Sequence, residues 1–146
     1  MNKQYESIAH TADLQLRVWG KTLQELFKNA LIGMSQSMQP KSRMCVLRGE
    51  TLACPDLPIT QKFVVDAPEI DSLLVDFLNE ALYLCDANNQ LFLDVDFDTF
   101  SDTACKGTLY GVPLDGIEIE IKATTHHGLK IEKINNQYQA DIVFDI

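Results

Sequence analysis

Apolar and polar residues alternate with a period of two through much of this sequence, and this alternation constrains the fold more than any other feature. Successive side chains of a β-strand point to opposite faces, so the pattern indicates strands with one buried face. Clear runs lie at 14–18, 117–123 and 138–144. Asn135-Asn136, just before the last run, is typical of a tight hairpin turn. We therefore expect a mainly antiparallel β-sheet.

Two segments follow helical spacing instead. The first opens with Thr22-Leu23-Gln24-Glu25, a capping-box sequence in which both end side chains satisfy otherwise unpaired N–H groups. The second follows Pro68. Apolar residues recur in both at intervals of three and four, which predicts two amphipathic helices packed on the sheet. The expected fold class is α+β, with residues 1–146 forming a single domain.

The composition bears on partners and location. The formal net charge is −9, with 21 acidic against 12 basic residues, which argues against tight direct nucleic-acid binding by this surface. An acidic protein can still reach nucleic acid by docking on a basic protein. No apolar run is long enough to span a membrane, and residues 1–6 show no signal-peptide pattern. We expect a cytoplasmic protein.

The four cysteines, Cys45, Cys54, Cys85 and Cys105, are widely spaced. Zinc sites need clustered ligands, so this spacing argues against one. In a reduced compartment such residues are usually small and buried, and we interpret all four that way. The segment 54–58 holds two prolines and is predicted to be a loop.

Three places carry candidate functional side chains. Asp13 ends the sequence His10-Thr11-Ala12-Asp13 and falls on the polar side of the strand that follows. Asp145 lies beside the carboxylate of Ile146, and two adjacent carboxylates repel each other unless a cation screens them. Lys122 is expected on the polar face of a strand over 117–123. A metal held by oxygen ligands would require Asp13 and Asp145 to converge.

Each of these places also has a simpler interpretation. Asp13 could cap the backbone of a turn. Asp145 could sit at a solvated strand end, where repulsion between carboxylates is weak. Lys122 could form an exposed cross-strand salt bridge, which would contribute little to stability.

Other motifs are excluded as functional sites. Asp94, Asp96 and Asp98 resemble the start of an EF-hand loop, but Thr99 and Cys105 stand where that loop requires Gly and Glu. We interpret them as the polar face of a strand. His126-His127 are predicted to be strand neighbours that point to opposite faces. The sequence contains no motif of a nucleophile with its base.

Several blocks of the sequence together resemble the archease family. They are His10-Thr11-Ala12-Asp13, the run 17–23 with the sequence RVWGKTL, the helix 71–80 with the sequence DSLLVDFLNE, the run 122–127 with the sequence KATTHH, and the terminal Asp145-Ile146. The blocks span essentially the whole chain in the family's order, which makes the combination specific.

The resemblance implies a non-catalytic protein cofactor of an RtcB-type RNA ligase, which promotes ligase guanylylation and multiple turnover in tRNA splicing or RNA repair. It implies metal binding by Asp13, Asp145 and the C-terminal Ile146, with His10 as a supporting residue. It also implies that Lys122, Asp13 and Asp145 are needed for ligase activation. Calcium is the ion that the family suggests, with magnesium and manganese as alternatives, and an all-oxygen ligand set suits such cations.

Two other functions remain open at this point. One is a small metal-dependent hydrolase that uses Asp13, Lys122 and Asp145, although no nucleophile–base pair accompanies them. The other is a general chaperone-like interaction module.

Overall fold

The computed structural model describes residues 3–8 and 13–146, which form two helices and a set of strands that pair only antiparallel to one another. The elements are β1 (Tyr5–Ile8), β2 (Leu14–Gly20), α1 (Leu23–Ser37), β3 (Pro40–Lys41), β4 (Val46–Arg48), β5 (Thr51–Ala53), β6 (Ile59–Asp66), α2 (Ile70–Asn88), β7 (Gln90–Phe100), β8 (Ala104–Pro113), β9 (Gly116–Ile117), β10 (Ala123–Thr124), β11 (Glu132–Ile134) and β12 (Gln137–Asp145). The predicted α+β class, mainly antiparallel sheet with two helices packed on it, is confirmed.

The larger sheet has five strands in the order β1-β2-β12-β10, with β11 also paired to β12. Its central pair, β2 and β12, joins the two ends of the chain in a register that runs from Tyr138↔Gly20 to Phe144↔Leu14. The predicted hairpin between β11 and β12 is present. Asn135 and Asn136 have φ values of 52° and 66°, the left-handed conformation that a tight two-residue hairpin turn requires.

The second sheet has three strands in the order β6-β8-β7, and two short ribbons pair β3 with β9 and β4 with β5. The register of β7 against β8 shifts twice, between Phe92 and Asp94 and between Phe97 and Thr99. Each shift adds a residue to β7, so its backbone bends toward β8. A glycine lies near each bend on β8: Gly107 beside the Asp96 carbonyl and Gly111 beside the Leu91 carbonyl.

Helix α1 packs against strands of both sheets and against α2. Its N-terminus is capped as predicted, because the Thr22 side chain accepts from the Glu25 N–H at 3.0 Å. Its buried polar side chains bond to the backbone of the strands around it, which satisfies groups that would otherwise be costly to bury. Asn29 donates to the Trp19 carbonyl at 2.7 Å, and Ser35 donates to the Phe92 carbonyl at 2.7 Å.

Helix α2 follows Pro68 as predicted and buries one apolar face against both the three-stranded sheet and β10. The residue that follows it, Asn89, has a φ of 52°, the left-handed conformation common after a helix. Where α1, α2 and the three-stranded sheet meet, an aromatic cluster fills the core, with ring centroids 5.0–6.3 Å apart. Its members are Phe27, Phe63, Phe77, Phe97 and Phe100.

The prediction of one strand over 117–123 is wrong. The segment divides into β9, which pairs with β3, and β10, which pairs with β12. Between them the N–H groups of Glu118 and Ile119 both donate to the carbonyl of Met38 at the end of α1. Terminal helix carbonyls lack intrahelical partners, so this contact satisfies one while it turns the chain away from the sheet. Local alternation does not reveal such a long-range contact.

The interpretation of the cysteines is right for two of them and wrong for the other two. Cys85 and Cys105 are free and buried, as expected. Cys45 and Cys54 form a disulfide across the open end of the β4–β5 hairpin. The predicted loop over 54–58 is confirmed. His126 and His127 are not strand neighbours, because both are exposed in the irregular segment after β10.

No helix within the described part of the chain is long and apolar enough to cross a membrane.

The close approach of β7 to β8 predicts different tolerance at two glycines. A Cβ at Gly111 would collide with the carbonyl oxygen of Leu91, which is backbone and cannot move aside cheaply, whereas a Cβ at Gly116 would meet nothing within 4 Å. We expect Gly111→Ala to lower the free energy of unfolding by about 1–3 kcal/mol or more. Gly116→Ala, at a position without positive φ, should have little effect. Urea denaturation of both variants measures this, and equal stabilities would contradict it.

Candidate functional site

Asp13 and Asp145 come at the same end of the two central strands. The last residue pair between β2 and β12 is Leu14↔Phe144, and Asp13 precedes Leu14 just as Asp145 follows Phe144. Continuing the antiparallel register therefore places these two aspartates at neighbouring positions across the strand pair, where side chains face the same side of a sheet. Phe144 is fully buried and Asp145 is exposed, so Asp145 belongs to the outer face, away from α1.

Lys122 is connected to the same strand end through its backbone. β10 extends the sheet on the other side of β12, with Ala123 paired to Asp145, and the Lys122 N–H donates to the Asp145 carbonyl at 2.8 Å. The Lys122 side chain is exposed and lies along a groove of about 690 Å³ between α2 and the segment 114–123. Lys122 forms no ion pair with any residue that the structure describes, so the simple salt-bridge interpretation is wrong.

Asn79 on α2 fixes β10 in place, and sequence reasoning did not single it out. Its side-chain oxygen accepts from the Thr124 N–H at 2.7 Å, and its side-chain nitrogen donates to the Thr124 carbonyl at 3.1 Å. Thr125 adds two bonds to the Val143 carbonyl, from its N–H at 2.9 Å and from its hydroxyl at 3.0 Å. The signal in the sequence was a polar side chain between the apolar positions of α2. Its role depends on β10, about 45 residues further along, which only the fold brings near.

Arg17, the arginine on the outer face of β2, is already paired within the sheet. Arg17 makes a two-bond ion pair with Asp141, at 2.8 and 3.0 Å, and this hydrogen bond is the largest cause of the raised pKa of Arg17. Asp13 is four positions from Arg17 along the chain, and Asp145 is four positions from Asp141. At the rise of a β-strand this is a distance of about 13 Å. That exceeds the screening length of about 8–10 Å at physiological salt, so Arg17 has little electrostatic effect on Asp13 and Asp145.

The donor set at this strand end fits a hard cation only in part within the described residues. Asp13 and Asp145 carry carboxylate oxygens, and Ile146, which is 43% exposed, is one residue further. Oxygen donors are what calcium and magnesium prefer. Among residues 3–8 and 13–146, however, no three His, Cys, Asp or Glu side chains gather as a metal cluster. His10, the supporting residue implied by the family resemblance, lies outside the described residues.

The prediction that Asp94, Asp96 and Asp98 belong to a strand and not to a calcium-binding loop is confirmed. All three lie within β7, close to its two register shifts. Asp94 pairs with Lys28 at 3.0 Å, and Asp96 accepts from the Tyr110 hydroxyl, which raises the tyrosine pKa. These contacts account for the two side chains without a metal.

The groove beside Lys122 is a separate feature. It is lined by both apolar and polar groups, among them Leu82, Tyr83, Asp86 and Glu120. Tyr83 is 65% exposed along it. The groove adjoins the Asp145 strand end through Lys122 and Ala123.

Known proteins align with this chain over nearly its whole length. "Protein archease" of Methanosarcina barkeri is 32% identical over 152 aligned residues, which cover 99% of this chain and 97% of that protein. "Protein archease" of Archaeoglobus fulgidus is 30% identical and covers 97% of this chain and 98% of its own length.

Two solved structures share the fold. The solution structure of Methanobacterium thermoautotrophicum protein 1598 matches with a TM-score of 0.67 and 24% identity, covering 98% of this chain and 99% of that one. The crystal structure of an archease and possible chaperone from Thermotoga maritima matches with a TM-score of 0.58 and 21% identity, covering 100% and 98%. At these identities the structures support the fold alone. The model of the archease protein family matches residues 5–146, and the chain therefore belongs to that family.

Proposed function

We propose that this protein is a non-catalytic cofactor that activates an RtcB-type RNA ligase, promoting its guanylylation and multiple turnover in tRNA splicing or RNA repair. The observation that carries the proposal is that three chain segments meet at one end of the central strands β2 and β12. Asp13 and Asp145 each lie one residue beyond the Leu14↔Phe144 pair, and a main-chain hydrogen bond ties Lys122 to Asp145. These are the residues through which the family resemblance implies activation.

In this proposal the strand end binds a divalent cation, with calcium preferred and magnesium or manganese as alternatives. Asp13, Asp145 and the terminal carboxylate of Ile146 would hold it through carboxylate oxygens, the donors that such hard cations prefer. The pairing of β2 with β12 fixes the spacing of the two aspartates, so little ordering is needed when the ion binds.

Lys122 has a different role in the proposal. Its backbone is fixed to Asp145 while its ammonium group is exposed and unpaired within the described residues, so it can bind an acidic group of the partner. A cation beside a cluster of carboxylates would normally pair with them. Its availability supports a contact with another molecule.

The net charge favours a protein partner over direct RNA binding. A charge of −9 repels phosphate groups, whereas it attracts a basic protein such as an enzyme that binds RNA. The cytoplasmic location predicted from the sequence belongs to the same proposal.

A general chaperone-like interaction module is the second candidate. The Thermotoga maritima protein of the same fold is described as a possible chaperone. The exposed Tyr83 and the groove beside it are compatible with contacts to other proteins.

A ligation assay under multiple-turnover conditions tests the main proposal. The cognate ligase, in limiting amount, should join more RNA than one equivalent only when this protein is present. Lys122→Ala should reduce that stimulation at least about tenfold, because loss of a charge-assisted contact typically weakens a complex by that amount. Lys62→Ala, an exposed lysine on β6, is the matched control. Equal stimulation by both variants would eliminate the role of Lys122, and no stimulation by the unchanged protein would refute the proposal.

A C-terminal extension tests the role of the last carboxylate. Added residues convert the Ile146 carboxylate into a neutral peptide carbonyl, while the buried core that ends at Phe144 is untouched. We expect a C-terminal tag to impair ligase activation strongly and to change the melting temperature by only a few degrees. The same tag at the N-terminus should be tolerated. Full activation by the C-terminally tagged form would exclude the terminal carboxylate.

Asp145→Asn tests the cation site without the ligase. The change removes one charge at nearly constant volume from an exposed position, so folding should be unaffected. Calcium affinity, measured by titration calorimetry, should fall at least about tenfold because ligand charge sets the strength of such sites. The control is Asp98→Asn, an exposed carboxylate on β7 that should leave the affinity unchanged. Equal losses in both variants would point to diffuse electrostatic attraction.

A further inference from the structure

The disulfide between Cys45 and Cys54 follows from the register of the β4–β5 hairpin. Val46 pairs with Ala53, and Arg48 pairs with Thr51 across a two-residue turn that contains Gly49 in the left-handed conformation. One step before the first pair, the two cysteines stand opposite each other with Cα atoms 4.4 Å apart. This is the spacing of an antiparallel pair without backbone hydrogen bonds, about 4.5 Å. The fold therefore brings the two sulfur atoms together without any special loop.

The hairpin is attached to the rest of the protein at one main point. Leu52 is buried, and its backbone N–H and carbonyl bond to the side-chain amide of Gln36 on α1 at 2.9 and 3.0 Å. On the opposite strand, Val46 is 56% exposed and Leu47 is 67% exposed. A two-stranded hairpin is marginally stable by itself in water. The disulfide thus contributes strongly to the stability of the pairing between the outer strand β4 and the anchored strand β5.

The four sulfur atoms differ in accessibility. Cys45 and Cys54 are partly exposed at the protein surface. Cys85 and Cys105 are buried, and burial raises the pKa of Cys85 to about 11 and that of Cys105 to about 12. Thiols react as thiolates, so these two are nearly inert at neutral pH. The sequence has no other cysteines, so thiol–disulfide exchange in the folded protein is confined to the hairpin pair.

We propose that the Cys45–Cys54 bond is a reversible clasp, which small-molecule thiols of the glutathione class open by exchange, releasing β4 from β5 while the rest of the fold remains intact. Structural disulfides are rare where such thiols are abundant, and the chain is predicted to reside in such a compartment. Both cysteines are partly exposed where they pack at the edge of the core, and the residues that follow Cys45 on the outer strand are mostly exposed. The bond can therefore break without disturbing the core.

The exchange is balanced in thiols and electrons. A small-molecule thiolate attacks one sulfur atom, the Cys45–Cys54 bond breaks, and a mixed disulfide forms while the other cysteine leaves as a thiolate and takes up a proton. A second small-molecule thiolate then attacks its counterpart in the mixed disulfide and releases the remaining cysteine. The protein disulfide gains two electrons, and two small thiols are oxidised to one disulfide.

The effect should remain local to the hairpin. Loss of a cross-link that closes a loop of this length raises the population of the open hairpin by about a hundredfold in the chain-entropy description. Leu52 keeps its buried side chain and its two bonds to Gln36, so the change concentrates in β4. The pairing of β2 with β12 and the two hydrogen bonds between Asn79 and Thr124 of β10 involve other residues. The candidate cation site is thus expected to be unaffected.

To test this, the folded protein is treated with millimolar reduced glutathione and then alkylated with iodoacetamide under native conditions. Mass spectrometry then identifies the alkylated cysteines. We expect two alkylated cysteines, Cys45 and Cys54, with Cys85 and Cys105 unmodified. Hydrogen exchange on the same samples should show amides of 46–48 exchanging at least about tenfold faster after reduction, limited by the opening equilibrium of the hairpin. Amides of α2 and β8 should keep their rates.

The double variant Cys45→Ser/Cys54→Ser is the control. It should exchange in the 46–48 segment as the reduced protein does, and glutathione should have no effect on it. A bond that survives overnight exposure to glutathione would overturn the proposal. Reduction that leaves the exchange of 46–48 unchanged, or that speeds exchange throughout the chain, would overturn it as well. If the double variant fails to fold, the oxidised and reduced forms of the unchanged protein still decide between these outcomes.

Discussion

The pairing of β2 with β12 is the interaction on which the rest of the structure depends. It joins residues 14–20 to residues 138–144, the two ends of the chain, so it closes the fold around α1. Leu16, Val18, Ile142 and Phe144 point inward from this pair and are buried. The same register fixes which residues stand together beyond the last pair. A slip of one residue would move the apolar set to the outer face, so core packing and the positions of Asp13 and Asp145 are specified together.

The buried polar groups show how one helix can serve two sheets. Most of α1 is buried, because it packs against strands on more than one side, and a purely apolar helix would satisfy that requirement as well. Instead, Asn29, Ser35 and Gln36 each bond to the backbone of a different strand. An apolar side chain can slide along its neighbours, whereas these bonds have fixed partners. They set the position of β2, β5 and β7 relative to the helix, at little net cost because each buried group is paired.

Features that depend on local sequence could be predicted, and those that depend on distant contacts could not. The alternation in β2 and β12, the Thr22 cap and the Asn135-Asn136 turn are each encoded within a few residues. The break within 117–123 depends on a carbonyl of α1, and the clamp by Asn79 depends on β10. The disulfide is an intermediate case, because Cys45 and Cys54 are equally distant from the Gly49-Glu50 turn. Recognising that turn from its glycine would have indicated the pairing.

For the candidate site, the sequence indicated the chemistry but not the geometry. The outward position of Asp145 followed from the inward Phe144, yet its place at the same strand end as Asp13 depends on the pairing of the first and last parts of the chain. The β4–β5 hairpin is a separate ribbon that lies beside β1 of the larger sheet, since the side chain of Thr51 contacts that of Tyr5, and Tyr5 pairs with Val18. Val18 is five strand residues from Asp13, or about 17 Å. At that distance direct electrostatic coupling is screened, so a change at the hairpin has little direct effect on the charges of Asp13 and Asp145.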